Sequence, residues 1–384
     1  MLSILLPYRS YSGVRSAHPS LGGFRMHHPH VSPEVVELDT TFRSIDAGDA
    51  LDGRLLDFFS AAWPAYKRWY LSQGDAARPS YAECSQMVRT YMPQLAPTYD
   101  RLVDAVGGGD LEARFLSHWR PPPLFAACSL LTYNRERNVL LRNYDYPPLL
   151  CDNTVLASSW HGTRVMAMTD CLWGALDGVN AHGLSVAIAF GGRPVVGDGF
   201  GIGLVVRYLL EFARSVDEAV AMLHLIPIQL TYNIALVDSS GRGAIVYVAP
   251  DREPVVSGAI TAANRQGPTM WPEHAEFCAT VLREEAMSEA VANPVLGVPE
   301  LASRFLAPPI HRSTATSTWG TVYTAAYDSD HRMLELSWPD DQWTLSLNGF
   351  EEDVRHRRSL VAVPPPVYEP AGDHVPEHPP VLIA

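Results

Sequence analysis

Leu124-Phe-Ala-Ala-Cys-Ser-Leu-Leu-Thr132 is followed, after a short polar run, by Leu140-Leu-Arg-Asn-Tyr-Asp-Tyr146. Two apolar segments separated by polar residues read as a β-hairpin. In that hairpin Cys128 enters the first strand, and Arg142 and Asp145 return on the second, 14 and 17 residues later. A thiol that meets a cation and a carboxylate is what a cysteine nucleophile needs. The small residues Ala126 and Ala127 precede it, and a cut between Ala127 and Cys128 exposes an α-amino group on the nucleophile itself. Such an amine has an unperturbed pKa of roughly 8 and can take the thiol proton near neutral pH.

The surroundings supply further motifs. Leu176-Asp-Gly-Val-Asn-Ala-His-Gly-Leu-Ser-Val-Ala187 reads as a strand pair, and Tyr232-Asn-Ile-Ala-Leu-Val-Asp-Ser-Ser-Gly241 as a strand that turns on Asp-x-x-Gly. Ile260-Thr-Ala-Ala-Asn-Arg265 and Thr318-Trp-Gly-Thr-Val-Tyr-Thr-Ala-Ala-Tyr-Asp328 follow. Taken in order, these segments resemble the cysteine branch of the N-terminal nucleophile hydrolases. Within it they are similar to the acyl-coenzyme A:6-aminopenicillanic acid acyltransferases, and more distantly to the penicillin V acylases and bile salt hydrolases. The resemblance spans roughly residues 124 to 348 and implies an α+β fold, a four-layer αββα sandwich of two antiparallel sheets. It also implies a self-processing cysteine amidohydrolase or acyltransferase acting on a linear amide through a Cys128 thioester. The substrate is then a small-molecule amide or an acyl-coenzyme A-type compound, with no cofactor.

The resemblance carries over to particular residues. Asp145 is expected to hold the freed amine of Cys128. Arg142 matches an arginine that the bile salt and penicillin V enzymes have and the acyltransferase lacks. An oxyanion needs aimed donors, each worth roughly 3 to 4 kcal/mol. Asn264 stands at the family's Thr-Asn-His position and Asn233 on an apolar strand; Asn180 reads instead as a hairpin turn residue. Two departures stand out: Thr318 occupies the place of an arginine before the last strand, with Arg304 or Arg312 as replacements, and Arg265 stands where the family has histidine. Two other classes remain in view. One is a catalytically inactive relative that binds a ligand or partner; the other is a thiol-redox protein, for which Cys151 is the near second cysteine.

Composition bounds the rest. The 384 residues, 47% hydrophobic and 18% charged, suit a globular chain with a substantial core. A formal charge of −13 argues against a nucleic-acid partner. The cysteines (Cys84, Cys128, Cys151, Cys171, Cys278) are odd in number and unpaired by any Cys-x-x-Cys spacing, which fits a reducing compartment. No run approaches the length of a membrane span, and the cytoplasm is the default. Homo-oligomers are left open.

Four regions are expected: an arm at 1–33, a strand and helical pro-segment at 34–127, the catalytic core at 128–350 and a Pro-rich tail at 351–384. In the arm, His27-His-Pro-His30 with His18 has metal-ligand types but reads as loop decoration. The tail, with Val363-Pro-Pro-Pro366, favours polyproline conformation. Ser215-Val-Asp-Glu218 marks a helix start, because the hydroxyl and the carboxylate can satisfy free N–H groups there.

Overall fold

A computed structural model describes residues 34–51, 53–317 and 319–363. The His-rich arm, Thr318 and the prolines after Val363 lie outside them. The described residues begin with a long strand, β1 (Glu34–Gly48), and four helices: α1 (Gly53–Tyr70), α2 (Tyr81–Tyr91), α3 (Ala96–Ala105) and α4 (Asp110–Leu116). The periodic stretch from Tyr81 to Val106 divides in two because Pro93 and Pro97 cannot continue a helix. Past Pro121-Pro-Pro123 comes the hairpin of β2 (Ala127–Asn134) and β3 (Asn138–Tyr146).

An antiparallel series follows: β4 (Thr154–Ser158), β5 (Val165–Asp170), β6 (Gly174–Asn180) and β7 (Ser185–Phe190). Two helices, α5 (Ile202–Phe212) and α6 (Val216–Leu223), lead to β8 (Tyr232–Val237), β9 (Gly243–Ala249), β10 (Arg252–Ser257) and the short β11 (Thr261–Ala262). Ser215 caps α6 by accepting the Glu218 N–H at 3.3 Å, and the Glu218 carboxylate accepts the Arg214 N–H at 2.8 Å. The chain then forms α7 (Pro272–Phe277), α8 (Thr280–Ala292), α9 (Val298–Phe305), β12 (Gly320–Asp328), β13 (Met333–Trp338), β14 (Asp341–Ser346) and β15 (Val354–Val363).

Two sheets result. One has nine strands in the order β10-β9-β8-β7-β6-β5-β4-β1-β15, antiparallel apart from the β1–β4 pair. The other has six, β11-β2-β3-β12-β13-β14. Strands β2 and β3 lie against β7 and β8, α5 covers β5 to β7, and α8 and α9 cover β2, β3 and β11. The class is α+β, with helix, sheet, sheet and helix in four layers. One expectation needs correcting: residues 354–363, assigned from sequence to the tail, form β15, which pairs with β1 from Glu34↔Val363 to Arg43↔Val354.

The pleat of the central hairpin divides its side chains between two cores. Cys128, Leu130, Leu140, Tyr144 and Tyr146 point into the large core between the sheets. Leu131, Tyr133, Val139 and Leu141 point to a second core with Met287, Val291, Leu301 and Phe305 under α8 and α9. This follows from the two-residue period of a strand.

Candidate active site

Cys128 is buried at 1% exposure, directly opposite Tyr144 on β3. The Arg142 Nη2 donates to its sulfur at 3.5 Å. Arg142 is in turn clamped from both sheets: its Nη1 donates to Asp177 Oδ2 on β6 of the facing sheet and, at 3.2 Å, to the hydroxyl of Tyr323 on the neighbouring strand β12. Tyr323 and Tyr327 both donate to the same carboxylate, Tyr323 at 2.8 Å, and the guanidinium lies 4.6 Å from the Tyr144 ring centroid. Burial pushes the Cys128 thiol pKa up, and Arg142 is the main opposing influence. Burial also opposes the charge on Arg142, but Tyr323, Cys128 and Asp177 hold its pKa well above the ordinary range.

Asp145 lies on the other face of the hairpin. It comes three positions after Arg142, an odd step, so the pleat sends the two side chains in opposite directions. It stands opposite Ala127 in the register and accepts from Arg283 Nη1 at 2.9 Å and from Thr321 Oγ1 at 2.8 Å. The Arg283–Asp145 pair is fully buried. Arg283, on α8, also donates to Ser129 Oγ at 3.0 Å and to Asn264 Oδ1 at 2.7 Å. The cation that meets Asp145 is thus Arg283. Arg265 pairs with Glu284 instead.

Asn264 holds the peptide on both sides of Ala127. Its Oδ1 accepts the Cys128 N–H at 3.1 Å, and its Nδ2 donates to Ala126 O at 3.2 Å and to Phe190 O at 3.0 Å. In the uncut chain the backbone N–H of Cys128 therefore meets Asn264, while Asp145 meets Arg283. Asn233 does not reach the thiol by any hydrogen bond. Its Nδ2 donates to Ala263 O at 2.7 Å and Arg265 O at 3.0 Å, fixing the backbone on either side of Asn264, while its buried Oδ1 has no partner among the described residues. Asn180 organises the β6–β7 turn, accepting from His182 N and Leu184 N and donating to Leu210 O and Ala213 O. Cys151 is half-buried, and its thiol donates to Pro147 O at 3.7 Å.

Sequence reasoning missed Arg283 and the Asp177–Tyr323–Tyr327 clamp. Asp177 had a signal: a carboxylate within an apolar strand must find donors. Arg283 had none, since an arginine within a helix normally faces water. Chemically, the arrangement offers a thiol beside one guanidinium, a side-chain amide on the preceding peptide, and a second guanidinium balanced by a carboxylate. Among the described residues no group of His, Cys, Asp and Glu could hold a metal ion, and no helix is long and apolar enough to cross a membrane.

Several solved structures align with part of this chain. A mutant of conjugated bile acid hydrolase from Clostridium perfringens aligns at 13% identity over 60% of this chain and 96% of its own, with a TM-score of 0.42. Penicillin V acylase from Agrobacterium tumefaciens aligns at 13% identity over 58% and 86%, also at 0.42. The Caenorhabditis elegans ortholog of N-acylethanolamine-hydrolyzing acid amidase aligns at 12% over 57% and 99%, at 0.39. No curated protein matches the chain. Over residues 132–267, a stretch that begins just after Cys128 and carries Arg142, Asp145, Asn233 and Asn264, the chain is similar to the acyl-coenzyme A:6-aminopenicillanic acid acyl-transferase family.

Proposed function

We propose that this protein is a self-processing cysteine amidohydrolase or acyltransferase that cleaves a linear amide of a small molecule through a thioester on Cys128. The observation that carries the reading is the grip of Asn264 on Ala126 O and the Cys128 N–H, beside a thiol that Arg142 contacts. In the first step the Cys128 sulfur attacks the Ala127 carbonyl carbon. The thiol proton passes to the nitrogen of the breaking peptide bond, leaving a thioester and a free α-amine. Water then hydrolyses the thioester, giving an Ala127 carboxylate and the Cys128 thiol.

Turnover repeats the attack on a substrate amide. The α-amine accepts the thiol proton and delivers it to the leaving amine, and water or a second amine takes the acyl group from sulfur. Once the cut lets residues 124–127 move away while the rest of the preceding segment stays in the fold, Asn264 Nδ2 no longer donates to Ala126 O, and one of its N–H groups becomes available to the oxyanion. Arg142 favours the thiolate. Asp145 acts through Arg283, offsetting a cation that would otherwise depress the α-amine pKa.

Incubation with acyl p-nitroanilides, followed by acid quenching and mass analysis, tests this reading. Cys128 should carry the acyl group in wild type, and Cys128→Ala should show neither processing nor acylation. Turnover by Cys128→Ala would refute it. A catalytically inactive binding protein of the same fold predicts that neither protein is cut or acylated.

A further inference from the structure

The aromatic packing around the peptide before Cys128 has no part in the chemistry above. Phe125, three residues before the nucleophile, meets Phe190 edge-on with ring centroids 5.0 Å apart and Trp271 edge-on at 5.4 Å. His274 completes the enclosure, stacked on Trp271 at 5.0 Å and edge-on to Phe190 at 5.1 Å. Burial lowers the His274 pKa to about 4, so the enclosure is uncharged at neutral pH. The preceding residue, Leu124, borders a separate cavity of about 40 Å³ with Trp69, Leu230 and Tyr232. The walls around Phe125 all come from sequence after Cys128, whereas the occupant comes from before it. Asn264 ties them together, since the amide that holds Ala126 O also holds Phe190 O.

Self-cleavage makes the Ala127 carbonyl the acyl group of the first thioester. The residues before it therefore lie where an acyl group lies during turnover. At about 3.3 Å per extended residue, the Phe125 backbone stands roughly 6 to 7 Å from that carbonyl. We propose, building on the functional reading above, that Phe190, Trp271 and His274 form an acyl-side subsite for an extended acyl chain with a planar apolar end group about two residues' length from its carbonyl. Phe125 fills this subsite until cleavage releases it. Short acyl groups do not reach the enclosure.

A series of ω-phenylalkanoyl p-nitroanilides of increasing chain length, with the acetyl anilide as reference, tests the assignment on the processed enzyme. Relative kcat/KM should rise to a maximum about tenfold or more above acetyl where the ring reaches the enclosure. In Trp271→Ala that ratio should collapse toward one. Should this variant fail to fold or process, wild type alone decides: the free peptide Leu-Phe-Ala-Ala should inhibit competitively, and Leu-Ala-Ala-Ala about tenfold more weakly. A flat chain-length profile, or equal inhibition by the two peptides, overturns the subsite. Intact mass separates the two claims: an uncut chain overturns the functional reading and this inference together, whereas a cut, acylating enzyme blind to the phenyl group overturns this inference alone.

Discussion

At Cys128 two faces of one hairpin meet: the side chain faces Arg142 between the sheets, while the backbone N–H meets Asn264. In the proposed mechanism one sulfur performs both attacks, so Cys128→Ala should abolish processing and turnover together. Cys128→Ser keeps a weaker nucleophile; processing should persist slowly on a denaturing gel while turnover falls further. Asp145→Asn has a different signature. It removes the anion that balances the fully buried Arg283, and an uncompensated buried charge costs about 3 to 5 kcal/mol. Urea denaturation should register that loss, and Arg283→Met in the same chain should recover part of it. Losing the anion also lowers the α-amine pKa, so the rise of activity with pH should move to lower pH in whatever Asp145→Asn enzyme folds. Unchanged stability and an unchanged profile would show that the pair does neither job.

Among the elements, α1 meets the sheet beside two half-buried acids, Asp152 and Asp170. Tyr66 donates to Asp152 Oδ1, and its hydroxyl accepts the Cys171 N–H at 3.0 Å. Burial raises the pKa of Asp152, with Asp170 adding to it, and burial likewise raises that of Asp170. Both folded pKa values therefore stand above the unfolded value of about 4, and the folded state binds the extra proton. The stability this contributes is complete below about pH 4 and is lost as pH rises through the raised folded values. Asp152→Asn should flatten the pH dependence of Tm above pH 4; a profile as steep as wild type would contradict it. Much at this scale is legible in sequence. The β2–β3 hairpin and the α6 cap announce themselves through apolar runs and a Ser-x-x-Glu. β15 does not, because Val354-Arg-His-Arg-Arg358 is an edge segment paired only with β1, and its outward charges hide the strand pattern. Arg283 is hidden for another reason: Asp145 lies 138 residues away, and only the packing of α8 on β2 joins them.

Over the whole molecule, the segment before the nucleophile is part of the architecture. β1 lies between β4 and β15, so its loss would expose rows of backbone N–H and C=O groups on both neighbours. After cleavage the two pieces should elute as one species in native gel filtration and separate only in denaturant; separation under native conditions would contradict the fold's account of processing. The central claim, that Cys128 cuts the chain before itself, is tested most directly by intact-protein mass under denaturing conditions. The account predicts two fragments from wild type, one ending at Ala127 and one beginning at Cys128, and a single uncut chain from Cys128→Ala. A single full-length mass from freshly purified wild type, unchanged after prolonged incubation, would contradict it.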